Sequence, residues 1–261
     1  MRIFVSMLIW LGMSASAMAA TFDQGQPTVL ITGSNRGLGL EFARQYAALE
    51  WNVIASCRDP EAAEDLRQLA DAFPNVAVER LDVTKDEEVD VLAQKYQDQP
   101  IDVLLSNAGV YGTLSKQTLG SFDFEEAKRV IDINAIASLR LAQAFQNNVV
   151  SSNQKKIISL GGGMGTLKIG PSFGGHYFMK MSKAAHLMAM GVLQTDLKDQ
   201  DVIVTMISPG RVNTQLMRDS GFTGPSMEPD ESAALVIERI AALDPSLGGK
   251  LVMYNGMVIP Y

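Results

Sequence analysis

Short apolar runs alternate with amphipathic stretches along most of this chain. The runs at 29–32, 51–56, 76–81, 101–106, 156–160, 202–207 and 250–254 predict strands. Between them, apolar residues three or four positions apart predict helices over 38–49, 61–73, 86–96, 124–147, 178–197 and 230–243. Strands apolar on both faces and separated by helices are the pattern of a parallel sheet with crossover connections. The expected class is α/β, with one doubly wound parallel sheet and helices on both faces. No repeat, linker or charge block divides the pattern, so 20–261 reads as a single domain.

Residues 1–19 stand apart. Arg2 precedes an apolar run from Ile3 to Met13, and a run of small residues ends in Ala17-Met18-Ala19. A basic start, a short apolar run and a small-x-small ending form an export signal cleaved before Ala20. The run is too short for a stable membrane anchor. The expected location is therefore periplasmic or secreted. The alternatives are a cytoplasmic protein with a misassigned start, beginning at Met18, or an N-terminal amphipathic helix.

Composition narrows the chemistry. At 261 residues, 47% hydrophobic and 20% charged, the chain is an ordinary globular protein with a large core. A net charge of -7 without any basic run argues against nucleic acid as a partner. One cysteine, Cys57, and two histidines leave no basis for a disulfide framework or a metal cluster.

The candidate site begins at Thr32-Gly33-Ser34-Asn35-Arg36-Gly37-Leu38-Gly39, between the first strand and the first helix. Glycines there let backbone turn sharply and approach a ligand, and a helix start favours an anion. The spacing Gly-x-x-x-Gly-x-Gly differs from the Gly-x-Gly-x-x-Gly dinucleotide fingerprint, and a glycine turn with no ligand is the plain alternative. Further along come Leu81-Asp82-Val83-Thr84, Asn107-Ala108-Gly109, Asn134, Ser182-Lys183 and Pro209-Gly210.

In this order and spacing, the motifs resemble those of the short-chain dehydrogenase/reductase family from about Thr28 to Tyr261, and the tail from Tyr254 resembles its carbonyl-reductase-like branch. The resemblance implies a Rossmann-type sheet, a nicotinamide dinucleotide and a small carbonyl or alcohol substrate. It assigns the cofactor to Gly33, Asn35, Arg36, Gly37, Leu38, Gly39, Arg58, Asp82, Val83, Asn107, Ala108, Gly109, Lys183, Pro209, Gly210, Val212 and Thr214. Asp82 would meet the adenine amino group, the plain alternative being a helix-capping role. Asn134 would disturb its helix so that backbone holds a relay water, the alternative being a partner for a buried backbone group. The family usually pairs helices near 127–146 and 181–197, so a homo-oligomer is the default. Residues 215–228 read as a flexible lid over the substrate.

The second strand ends at Ser56-Cys57-Arg58 without the carboxylate that binds a ribose 2′-hydroxyl. Arg36 and Arg58 instead suit a 2′-phosphate, so NADP(H) is expected over NAD(H).

The resemblance breaks where catalysis needs it. The family's chemistry uses a tyrosine four residues before the lysine, on one helix face, and a serine that polarises the carbonyl. Lys183 is present, but Met179 stands at the tyrosine position and Gly162 at the serine position. Ser159 or Thr166 would serve only if the loop shifted. Tyr177 is six residues before Lys183, about 240° round an ideal helix. Tyr177, His176 and Lys180 are the local candidates for a substitute acid. Two readings stay open: an NADPH-dependent carbonyl reductase or alcohol dehydrogenase, and a non-catalytic nucleotide-binding or interaction protein. Chemistry that needs no phenolic acid is a third.

Overall fold

A computed structural model describes residues 22–261. The expected export signal lies outside the described residues. The strands are β1 Thr28–Thr32, β2 Asn52–Cys57, β3 Val76–Arg80, β4 Val103–Ser106, β5 Lys156–Leu160, β6 Ile203–Ser208, β7 Leu251–Met253 and β8 Val258–Ile259. They form one sheet in the order β3-β2-β1-β4-β5-β6-β7-β8. Every pair is parallel except β7 with β8.

Side-chain alternation along the strands builds the two sides. Val29 and Ile31 of β1 join the cluster formed with helices α1 Gly37–Ala48, α2 Glu64–Ala72 and α8 Pro229–Ala241, where Phe42, Tyr46, Leu66 and Val236 are fully buried or nearly so. Leu30 points the other way, into the cluster with α3 Asp86–Lys95, α5 Ala137–Val150 and α6 Tyr177–Leu197 through Val89, Leu141, Phe145 and Met190. Large apolar side chains on both sheet faces, shielded by helices, supply the main driving force for this arrangement.

Strand order reverses between β1 and β4, and a crevice opens beyond the carboxyl ends of the strands at such a point. The predicted helix over 124–147 is α4 Phe124–Ile131 and α5, joined by one wide π-type turn at Asp132–Ile136. Residues 215–228, expected as a lid, begin with a short helix, α7 Gln215–Asp219, whose first turn is capped by the Thr214 hydroxyl. Strand β8 escapes the periodicity because it is two residues long and follows a turn at Gly256 with φ 88°.

Candidate active-site cleft

One large cleft runs across the carboxyl ends of β1, β2, β4, β5 and β6. Its end at β1 and β4 is built from backbone. Gly33 and Gly37 have φ of 70° and 55°, which only glycine adopts freely. A Cβ on Gly39 would stand 2.1 Å from the Gly33 carbonyl oxygen and 2.6 Å from Asn107 Nδ2. Asn107 Nδ2 donates to the Thr32 carbonyl at 2.7 Å, and the backbone amides of Asn107 and Ala108 donate to Thr32 Oγ1 at 3.1 and 3.0 Å. These bonds lock the glycine turn to the end of β4. Helix α1 starts without a side-chain cap and without an acid in its first turn, so its amino end keeps its partial positive charge for an anion.

Arg36 and Arg58 are exposed and line the same end, as does Asp82. Neither arginine is in an ion pair among the described residues. Asp82 Oδ1 accepts from the Thr84 amide at 3.0 Å and hydroxyl at 2.8 Å. Burial raises this carboxyl, but the Thr84 bonds and the nearby Arg58 and Lys85 charges outweigh it and hold it below its ordinary value. A glycine cradle, an uncapped helix start and two nearby guanidiniums fit the phosphates of a dinucleotide.

Gly33, Asn35, Gly37, Leu38, Gly39, Val83, Asn107, Ala108, Gly109, Lys183, Pro209, Gly210 and Thr214 also line the cleft. Val212 does not. It is 4% exposed, bridges to Met227, and gives its carbonyl to the Thr214 amide at 2.8 Å.

At the other end, the wide turn at Asp132–Ile136 carries Asn134 inward. Its Oδ1 accepts from the Val110 amide at 2.9 Å, and its Nδ2 donates to the Val110 carbonyl at 2.9 Å and Ser182 Oγ at 3.0 Å. Asn134 thus ties the half-buried Val110 backbone to the wide turn. Met179 is 7% exposed and lines the cleft one helical turn before Lys183. Lys183 Nζ donates to the Leu160 carbonyl at 2.8 Å, and burial pushes its ammonium down to about 8. Gly162 also lines the cleft, and a Cβ there would meet nothing within 4 Å.

The alternative donors fall away. Ser159 is fully buried in β5, and Thr166 is turned onto the Gly163 carbonyl at 2.9 Å; neither lines the cleft. Tyr177 is 39% exposed and packs its ring on Phe122 at 4.9 Å, because helical periodicity turns it off the Met179–Lys183 face. Lys180 donates to the Phe173 carbonyl and sits 3.8 Å over that ring, outside the cleft lining.

His176 is different. It lines the cleft at the start of α6 in the left-handed region, φ 57°, and its Nδ1 lies 2.9 Å from Tyr111 Oη. Tyr111 also lines the cleft, and burial pushes its phenol up to about 12. Burial and the Lys180 charge push the His176 imidazolium down. Tyr111 follows Asn107-Ala108-Gly109 by two residues. Its sequence neighbourhood carries no signal, because its partner lies 65 residues away.

A parallel sheet with a glycine-turned nucleotide end and a lysine at the far end defines a dinucleotide-dependent oxidoreductase scaffold. The "short chain dehydrogenase" family model matches residues 27–222, and the chain belongs to that family. It is 30% identical to the short chain dehydrogenase gsfK of Penicillium aethiopicum, covering 88% of this chain and 97% of the relative. Among solved structures, NADPH-bound carbonyl reductase from chicken fatty liver superposes with a TM-score of 0.82 at 25% identity, covering 90% of this chain and 99% of that one. An NADP-bound short-chain dehydrogenase/reductase from Burkholderia multivorans gives 0.81 at 25% identity, covering 90% and 100%.

Proposed function

We propose that this chain is an NADP(H)-binding, carbonyl-reductase-like oxidoreductase that lacks the family's usual serine and tyrosine donors. The observation that carries the cofactor choice is the pair Arg36 and Arg58. Both line the adenosine end without a carboxylate partner among the described residues, and no acid ends β2. A guanidinium binds a 2′-phosphate through charge-assisted hydrogen bonds and gains much less from a ribose hydroxyl. The carbonyl reductase and the Burkholderia multivorans protein, whose structures hold NADPH and NADP, support the same choice.

The glycine turn and the start of α1 would hold the pyrophosphate, Asp82 the adenine, and Asn107 to Gly109 the ribose. Lys183 would reach the nicotinamide ribose, and Thr214 the carboxamide. A bound reduced nicotinamide supplies a hydride to a carbonyl carbon. The backbone of the wide turn at Asp132–Ile136 would hold a relay water for Lys183. Titration of the protein with NADPH and NADH tests the reading: NADPH is expected to bind more tightly, and tighter NADH binding overturns it.

One observation favours the second reading, a nucleotide-binding protein without turnover. Met179 fills the acid's position with a thioether, which has no proton to give. A panel of aldehydes, ketones and quinones with NADPH separates the two, since NADPH binding with background turnover rules out carbonyl reduction of these classes and favours the second.

A further inference from the structure

We propose that Tyr111 is the proton donor of this cleft and that His176 resupplies its proton, a relocated acid resting on the reductase reading above. Tyr111 Oη and His176 Nδ1 are 2.9 Å apart, and both residues line the cleft. The hydroxyl also lies 3.9 Å from Met164 Sδ, two residues beyond Gly162. The phenol therefore stands beside the Gly163–Gly165 turn that follows Gly162.

The pair is held from three sides. Gln117 is fully buried. Its Nε2 donates to the Tyr111 carbonyl at 3.1 Å, and its Oε1 accepts from the Phe178 and Met179 amides at 3.1 and 3.3 Å. One side chain thus ties Tyr111 to the first turn of the helix that His176 opens. Asn134 fixes Val110, the residue before Tyr111, through both of its backbone groups. The His176 ring meets the rings of Tyr111 and Phe173 edge-on, each at 5.7 Å. His176 is a non-glycine residue in the left-handed region, a strained conformation that surrounding contacts must hold in place.

The chemistry balances. With a hydride delivered to the carbonyl carbon, the C=O π bond breaks toward oxygen, and that oxygen takes the proton of Tyr111 Oη. His176, in its Nδ1–H tautomer, returns a proton to the phenolate while its Nε2 takes one from solvent water; the hydroxide leaves to bulk solvent and the imidazole ends as its neutral Nε2–H tautomer. The net addition is one hydride and one proton, and both side chains end neutral. A buried phenol stays protonated at neutral pH, and an alkoxide is a stronger base than a phenolate, so the transfer runs downhill.

The test has two arms. In the cofactor-free protein, ¹⁵N NMR of the His176 ring is expected to show a hydrogen-bonded Nδ1 that is lost in Tyr111→Phe. No change overturns the pairing. With NADPH and a panel of aldehydes, ketones and quinones, Tyr111→Phe is expected to lose about 100-fold or more in kcat at unchanged NADPH affinity. His176→Gly suits the local backbone and is expected to lose about tenfold or more, with recovery on adding imidazole. A purely structural histidine would not be rescued. Turnover in Tyr111→Phe within about threefold of wild type, or wild type that binds NADPH and reduces nothing, overturns the proposal and leaves nucleotide binding standing. Failure to bind NADPH instead overturns the underlying reading, and the proposal with it.

Discussion

Asn134 Nδ2 lies 3.7 Å from Met179 Sδ, one turn before Lys183 on the helix face that looks into the cleft. The wide turn of residues 132–136 and the lysine frame this position as they would a tyrosine, and a sulfur fills it.

The double substitution Met179→Tyr with Gly162→Ser is expected to raise NADPH-dependent carbonyl reduction by about 100-fold or more over the parent. A side chain at Gly162 enters open space, so the serine costs little room. Steady-state NADPH oxidation checks it. Unchanged turnover in a folded, NADPH-binding variant would sink the assignment of these two positions.

Arg36→Ala and Arg58→Ala are each expected to weaken NADPH binding about tenfold or more while leaving NADH affinity nearly unchanged. Removing a hydrogen bond to a charged group costs about 1.5–3 kcal/mol, and that loss applies only where the 2′-phosphate is present. Fluorescence titration of both nucleotides reads the difference. Equal losses for both would mean that the arginines do not face the 2′ position.

Gly39→Ala is expected to destabilise the fold by about 1–3 kcal/mol and to abolish tight nucleotide binding. The new methyl meets the Gly33 carbonyl, which is backbone and is held in place by Asn107. Gly174→Ala, with nothing within 4 Å of its added Cβ, is the control and should unfold like wild type. Thermal unfolding with and without NADPH decides it.

Burial lowers Lys183 from 10.5 to about 8 in the folded protein. Below pH 8 both folded and unfolded chains hold this proton, and the folded state bears the full cost of a desolvated charge. Between about 8 and 10.5 the unfolded chain binds more protons, so this residue's contribution to stability rises with pH. Wild type is therefore expected to gain stability relative to Lys183→Met across that window, read as the difference between their melting temperatures. A flat difference would remove burial as the cause.

We propose that residues 1–19 are removed on export. N-terminal sequencing of the protein from its native host should find a chain beginning at Ala20, and a chain retaining Met1 or starting at Met18 contradicts export.

Local spacing was enough for much of this molecule. The sheet strands and their helices are contiguous segments whose apolar period reports burial directly. The glycine turn and the Met179–Lys183 pair are likewise set within a few residues of sequence. Elements too short to show a period, such as β8 and α7, left no such trace.

By itself, the sequence determined the parallel α/β fold, the glycine turn after β1, and Gly162 and Met179 at the ends of segments that line the cleft, because each depends on neighbours close in the chain. Tertiary structure alone decided that Val212 stands off the cleft and that Gln117 binds two distant segments. It also brought the Tyr111 hydroxyl to 2.9 Å from His176. These relations join β4's trailing loop to the start of α6, and no periodicity encodes a contact between two loops that only the folded sheet brings together.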